Sequence, residues 1–260
     1  MELTIGPLPI SGYARVIVYY FEAHSCIPRR LGLSILFIHG VGANPSVWHL
    51  QTVYFKGSVA VELPGHPDGP GLATVDGYAE VVERKIDENG IVAPIIVGHS
   101  MGGAIAIELA LRRRKLRALV LVGTGARLRV RPEILAKVME NYEEAAKLIA
   151  SWSVSTSADP ILVDRMARDL MRVKPEVTFG DFMACDKFDR MDRVGEITSR
   201  TLVVCGEEDR MTPKKYSQYL HERIKASDLA IIAGAGHGVM LEKPREFNRV
   251  LEAFFASLQP

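Results

Sequence analysis

IVAPIIVGHSMGGAIAIELALRRR, residues 91–114, is the stretch whose reading decides the fold. Its first part is a continuous run of Ile and Val, a pattern that suits a strand covered on both faces. From Met101 to about Arg114 the apolar spacing turns helical. At the junction Gly98-His99-Ser100-Met101-Gly102 fits G-x-S-x-G. A strand that turns at once into a helix crowds the backbone around its serine. Flanking glycines supply the room, and the serine is held in a strained conformation with its hydroxyl pushed outward. Gly103 extends the allowance for close helix packing. A glycine-rich turn with an incidental serine would show the same pentapeptide, so the strand–turn–helix setting carries the weight.

Outward from this junction the pattern repeats. SILFIHG (34–40), SVAVELPGH (58–66), LRALVLVGTG (116–125), RTLVVCG (200–206) and DLAIIAG (228–234) read as short buried strands. Between them lie helical runs: a short one over 45–54, then 75–89 with Gly90 as a stop, 213–223, and a last one after Pro244. Such alternation predicts an α/β fold, a mostly parallel sheet with helices on both faces. ELTIG (2–6) and ARVIVYYFEA (14–23) have no helix between them and are expected as antiparallel edge strands. After Gly125 the rhythm breaks. Three helical segments follow, 132–150, 160–173 and 175–188, each opened by a proline suited to a helix's first turn. With no strand among them they predict a helical cap above the sheet. The expected organisation is a core formed by 1–126 and 191–260, interrupted by a cap over 127–190.

A serine hydroxyl is a weak nucleophile at neutral pH, so it needs a base, and the base needs a third group to fix its tautomer. Asp209 follows RTLVVCG in GEEDRMTP (206–213), where the carboxyl end of a parallel strand presents side chains to a crevice. A helix cap before Pro213 would equally use Asp209, and Glu207 and Glu208 are the competing acids. His237, in GAGHG (234–238), follows the strand DLAIIAG and is the expected base. His24, His49, His66 and His221 occur in edge-strand, loop or helix contexts, and His39 and His99 lie tight against glycine turns. Ser100, Asp209, His237 is the chain order expected of a G-x-S-x-G hydrolase. The oxyanion of acyl transfer needs two backbone donors: the N–H after the serine, Met101, and an N–H from His39-Gly40-Val41-Gly42, expected to be that of Val41. A plain loop is the alternative reading of those four residues.

Composition narrows the classes. Of 260 residues 48% are hydrophobic and 24% charged, an ordinary globular balance that argues against a disordered chain. Lys and Arg total 32 against 31 acidic residues, so no overall field gathers nucleic acid or an anionic membrane. The basic run Arg112–Arg117 closes a helical pattern, where cations complement the helix dipole, and a phosphate-binding patch is the weaker reading. Cys26, Cys185 and Cys205 are odd in number and far apart, so neither a disulfide framework nor a metal site is expected. The opening MELTIGPLPI has no basic leader or long apolar run, and no stretch has the length of a membrane span. A soluble, cytoplasmic protein is expected, without stable membrane insertion.

With these residues assembled, the chain resembles the α/β-hydrolase superfamily, in particular small capped esterases and monoacylglycerol-lipase-like enzymes carrying G-H-S-M-G-G. The family's HG-x-G turn corresponds to His39–Gly42, its L-P-G-H turn to Leu63–His66, its G-x-x-D-x-x-x-P acid loop to Gly206–Pro213, and its G-H-x-x-x-x-E-x-P motif to Gly236–Pro244. Glu62 stands where an aspartate commonly precedes L-P-G-H, and Pro67 where glycine is frequent. The resemblance implies an eight-stranded mostly parallel sheet, a cofactor-free hydrolysis in two steps through an acyl-enzyme, and a site beneath the cap.

The expected activity is hydrolysis of a small apolar ester with a short to medium acyl chain, since the cap region is rich in Leu, Ile, Met, Val and Phe. Packing of the cap on the sheet accounts for many of those residues equally well. A perhydrolase or acyltransferase would share the acyl-enzyme. A carbon–carbon bond hydrolase would share the three residues, but the resemblance would then put tryptophan after the histidine, where Gly238 stands. Dehalogenases and epoxide hydrolases of the superfamily use aspartate as nucleophile. A small-molecule binding module on the same fold is the non-enzymatic alternative.

Overall fold

The structure, a computed structural model, describes residues 16–19, 34–112 and 115–258. Its strands are β1 (Val16–Tyr19), β2 (Ile35–Ile38), β3 (Val59–Val61), β4 (Ile95–His99), β5 (Ala118–Val122), β6 (Thr201–Gly206) and β7 (Ser227–Ile232). They form one sheet in the order β1-β7-β6-β5-β4-β2-β3, with every pairing parallel. Seven strands lie among the described residues, where eight were expected. One expectation is corrected. The described part of ARVIVYYFEA pairs parallel with β7, Val16 opposite Leu229, where an antiparallel edge was expected. Hydrophobic pattern identifies a strand but not its partner, and this partner lies more than two hundred residues away. ELTIG lies outside the described residues.

Alternation along the central strands sends successive side chains to opposite faces. Leu36, Ile38, Ile96, Leu119 and Leu121 enter one apolar cluster, with Val82 and Ile86 of α2 (Val75–Glu88), Ile105 and Leu109 of α3 (Met101–Leu111), and Leu220. Ile35, Phe37, Ile95, Val97 and Val120 enter another, with Trp48, Phe247, Leu251 and Phe255. Both faces are therefore covered, which is why these strands read as unbroken apolar runs. α3 is buried on nearly all sides, between sheet and α2, and its sequence is correspondingly apolar around its circumference. At its end Arg112 pairs with Glu108 at 3.3 Å and with Asp76 and Glu83 at 3.6 Å, knotting α3 to α2.

Between β5 and β6 come α4 (Pro132–Glu140), α5 (Tyr142–Trp152), α6 (Pro160–Leu170) and α7 (Pro175–Lys187). The single helix expected over 132–150 is two. Asn141 leaves helical geometry at φ −150° and ψ 85°, ending α4, and its side chain accepts from Glu144 N at 3.2 Å to start α5. α4, α6 and α7 open on proline, as the sequence suggested. The four helices share an apolar cluster of Ile134, Val138, Ala146, Ile149, Leu170 and Phe182. An isolated antiparallel bridge joins Arg127 to Asp189, and Arg190 N donates to Ala126 O at 2.7 Å, so the segment leaves and rejoins the core at one place. No described helix is long and apolar enough to cross a membrane.

Candidate active site

Register places the strand ends together: Ile38 lies opposite Gly98, and His99 opposite Val122. Ser100 follows β4 directly, with φ 55° and ψ −117°, a positive φ rare for a residue bearing a β-carbon. Neighbouring bonds hold it there. Ser100 N donates to Val122 O at 3.0 Å, while its carbonyl accepts from Gly103 N at 2.9 Å and Thr124 Oγ1 at 2.8 Å. A β-carbon on Gly98 would run into the Gly102 carbonyl, and one on Gly102 into the Ile38 carbonyl, so only glycine fits either side of the turn.

His237 is buried, and its Nδ1–H donates to Asp209 Oδ2 at 2.9 Å. The carboxylate is itself fully engaged. Oδ1 accepts from Met211 N at 2.9 Å and Thr212 N at 2.8 Å, and Oδ2 also from Thr212 Oγ1 at 2.9 Å. Burial disfavours the charge on Asp209, but the His237 imidazole and the hydrogen bonds outweigh it and hold the carboxyl below its ordinary range. Of the competing acids, Glu208 accepts from Thr156 N and Oγ1, both at 3.1 Å, and Glu207 is exposed. His39 and His99 are buried elsewhere. His39 Nδ1–H donates to Gly40 O and His99 Nε2–H to the His237 carbonyl, each at 3.0 Å. Burial first, then neighbouring histidines, lowers both to about 3, so each is neutral at working pH.

In the turn after β2, Ala43 N donates to Gly40 O and Gly42 N to Asp181 Oδ2, which leaves the Val41 N–H outside both bonds. Met101 opens α3, where a first-turn N–H has no partner within its helix. Val41 and Ser100 line two cavities that meet at the serine. One, about 890 Å³ and open to solvent, has His237, Leu162, Met166 and Leu170 in its walls. The other, about 750 Å³ and likewise open to solvent, is lined by Val130, Ile134, Trp152 and three arginines. Ile149, Phe182 and Met211 border both.

Residues 35–250 match the profile of the Alpha/beta hydrolase family. The chain belongs to that family. A solved structure described as a thermophilic esterase superimposes on this α/β hydrolase with a TM-score of 0.79 at 37% identity, over 86% of this chain and 90% of the other. Pimeloyl-[acyl-carrier protein] methyl ester esterase of Neisseria meningitidis is 28% identical over 252 residues, covering 85% of this chain and 92% of its own length. 2-Hydroxy-6-oxo-6-phenylhexa-2,4-dienoate hydrolase of Burkholderia cepacia is 26% identical over 87% of this α/β hydrolase and 88% of itself.

Three residues around the site went unread in the sequence. Thr212 Oγ1 lies 3.2 Å from His237 Nδ1 while donating to Asp209, so it fills the remaining space beside their bond. Glu242, the glutamate of the closing motif, accepts from Gly236 N and Ser155 N, each at 2.7 Å, tying the His237 loop to the stretch after α5. Asp181 on α7 is wholly buried and accepts from Gly42 N at 3.0 Å, His66 Nε2 at 2.8 Å and Tyr78 OH at 2.6 Å. His66 Nδ1 also lies 2.8 Å from Pro64 O, so both ring nitrogens have a polar partner. Burial and the Asp181 charge push the Tyr78 phenol well up, keeping it a donor. A histidine in the L-P-G-H turn was the one sequence signal for this group, and it named no partner. Glu62, noted as a departure in that motif, is exposed and takes no part.

Proposed function

We propose that this α/β hydrolase cleaves carboxylic esters with short to medium apolar acyl chains. Ser100 is the nucleophile, His237 the base, Asp209 the acid that orients it, and the N–H groups of Val41 and Met101 the oxyanion donors. The observation that carries the reading is the Asp209–His237 hydrogen bond beside a serine of positive φ, with serine and imidazole in the walls of one largely apolar cleft.

With Nδ1–H committed to Asp209, the lone pair of His237 is on Nε2, the form that accepts a proton. Nε2 takes the Ser100 proton as Oγ attacks the ester carbonyl, and the two backbone donors hold the oxyanion. The imidazolium returns that proton to the departing alcohol, leaving an acyl-serine. Water then attacks the acyl carbon, gives its proton to His237, and the acid leaves as Ser100 is re-protonated. Every proton moves through one imidazole, so the sequence of steps calls for no metal or organic cofactor. The four helices serve as the cap: Ile149, Leu162, Met166, Leu170 and Phe182 offer an apolar wall to an ester with a small uncharged chain. The esterase names among the relatives support ester chemistry over a binding module.

A fluorophosphonate probe should label the wild type and not Ser100→Ala. A panel of nitrophenyl esters graded by chain length, with amide and thioester analogues, should then show ester cleavage strongest at short to medium lengths. Absence of both labelling and turnover would overturn the enzymatic reading.

A further inference from the structure

The two cavities that meet at Ser100 differ in charge. In the first, Arg165 and Asp169 form an ion pair at 3.8 Å, so the cation comes with its counterion. The second is lined by Arg129, Arg131 and Arg210 and by no Asp or Glu. Arg129 is offset by Asp189 at 3.7 Å. Arg131 is not: its guanidinium lies 5.5 Å over the Trp152 ring, and no hydrogen bond or ion pair engages it among the described residues. A guanidinium held over an aromatic ring and not by a carboxylate keeps its N–H groups free, and its planar fork is the geometry that grips a carboxylate with two bonds. Arg210 Nη2 donates to the carbonyls of Ser151 and Val154 at the end of α5. Those bonds orient the group without cancelling its charge. Capping of α5 explains the place of Arg210, but it does not explain an arginine without a carboxylate partner in the same cavity wall.

We propose that this second cavity is a subsite for a carboxylate at the far end of one half of the ester. An aliphatic chain starting at Ser100 would run past Val41, Ile149 and Phe182, and its charged end would meet the Arg131 fork with Arg210 beside it. The three arginines are exposed at the rim, so the attraction is screened by salt. The assignment rests on the ester-hydrolase reading of Ser100 and adds a substrate class to it, half-esters of dicarboxylic acids.

The test compares monoethyl adipate with diethyl adipate. Wild-type kcat/KM should favour the half-ester by about tenfold at low ionic strength. The preference should fall towards parity in Arg131→Gln and in about 0.5 M salt, and be partly kept in Arg131→Lys. Arg193→Gln, which removes the same charge far from the cavity, should keep it. Parity in the wild type, or a preference that survives Arg131→Gln combined with Arg210→Gln, overturns the subsite. Calorimetry on the Ser100→Ala protein separates this from the function itself. Should the wild type cleave neither these esters nor the nitrophenyl panel, the ester reading fails, yet tighter binding of monoethyl adipate that vanishes on adding Arg131→Gln still supports the subsite. Equal binding with and without Arg131 overturns it.

Discussion

On the sheet side of the cleft each group proposed to act lies within a few residues of a strand's carboxyl end: Val41 after β2, Ser100 after β4, Asp209 after β6 and His237 after β7. Hydrogen bonds fix them, and glycines hold the backbone where no β-carbon would fit. On the helical side Ile149, Leu162, Met166 and Phe182 present apolar surface from α5, α6 and α7, Ile149 and Phe182 held in the helices' shared apolar cluster. The contrast teaches what each task demands. Proton transfer and oxyanion binding fail when a group shifts by an ångström, whereas an apolar wall works with any side chains of suitable volume.

The harshest way to break the comparison is on the sheet side. Ser100→Ala or His237→Ala should each lower kcat for a preferred ester by roughly 10⁴-fold or more, with little further loss in the double variant. Losses that multiply in steady-state assays would show the two residues do not act as a unit. The next tests the residue that crosses between the sides. Asp181→Asn leaves a buried His66 and the Gly42 N–H without their carboxylate, so stability should fall by on the order of 3 kcal/mol in urea unfolding. Its kcat should fall by about 10²-fold with KM changed much less, because the turn carrying Val41 shifts. A parallel change in KM alone would sever Asp181 from that turn.

Acid should separate the sides by another route. His39 and His99 are held neutral by burial, their values lowered from 6.5 to about 3. The unfolded chain therefore binds protons that the fold excludes. Stability should decline as pH falls below 6.5 and keep declining towards about 3. The chain's two tryptophans report each side, Trp48 with its ring 6.4 Å from that of His99, and Trp152 beneath Arg131. In single-tryptophan variants titrated with acid, the Trp48 signal should change at the higher pH. The smallest effect is expected from Met166→Ala, which enlarges the first cavity and should shift chain-length preference by about tenfold or less. A loss resembling that of Ser100→Ala would give the helical wall a chemical part.

Legibility in the sequence followed the same divide. The central strands were readable because a sheet covered on both faces demands runs such as ILFI and ALVLV. Ser100, Asp209 and His237 were singled out because their turns need particular residues at fixed offsets from a strand end. The break at Asn141 was missed: asparagine within a helical pattern is tolerated often enough to read through, and only its backbone angles reveal two helices. Asp181 was missed for a deeper reason. Its partners, Gly42, His66 and Tyr78, lie more than a hundred residues earlier, and no local pattern joins them. The charge of the second cavity was hidden likewise, since Arg131 comes just before α4 and Arg210 from the loop after β6.

Asp181 also constrains how a molecule could enter. Swinging α7 outward would draw the carboxylate away from the Gly42 amide and strip acceptors from His66 and Tyr78 at the same stroke. Wide opening therefore dismantles the very turn that a newly arrived carbonyl would need. α6 makes none of those hydrogen bonds, so an entrance beside its first turns would spare the junction, and the doorway and the anvil would belong to different helices.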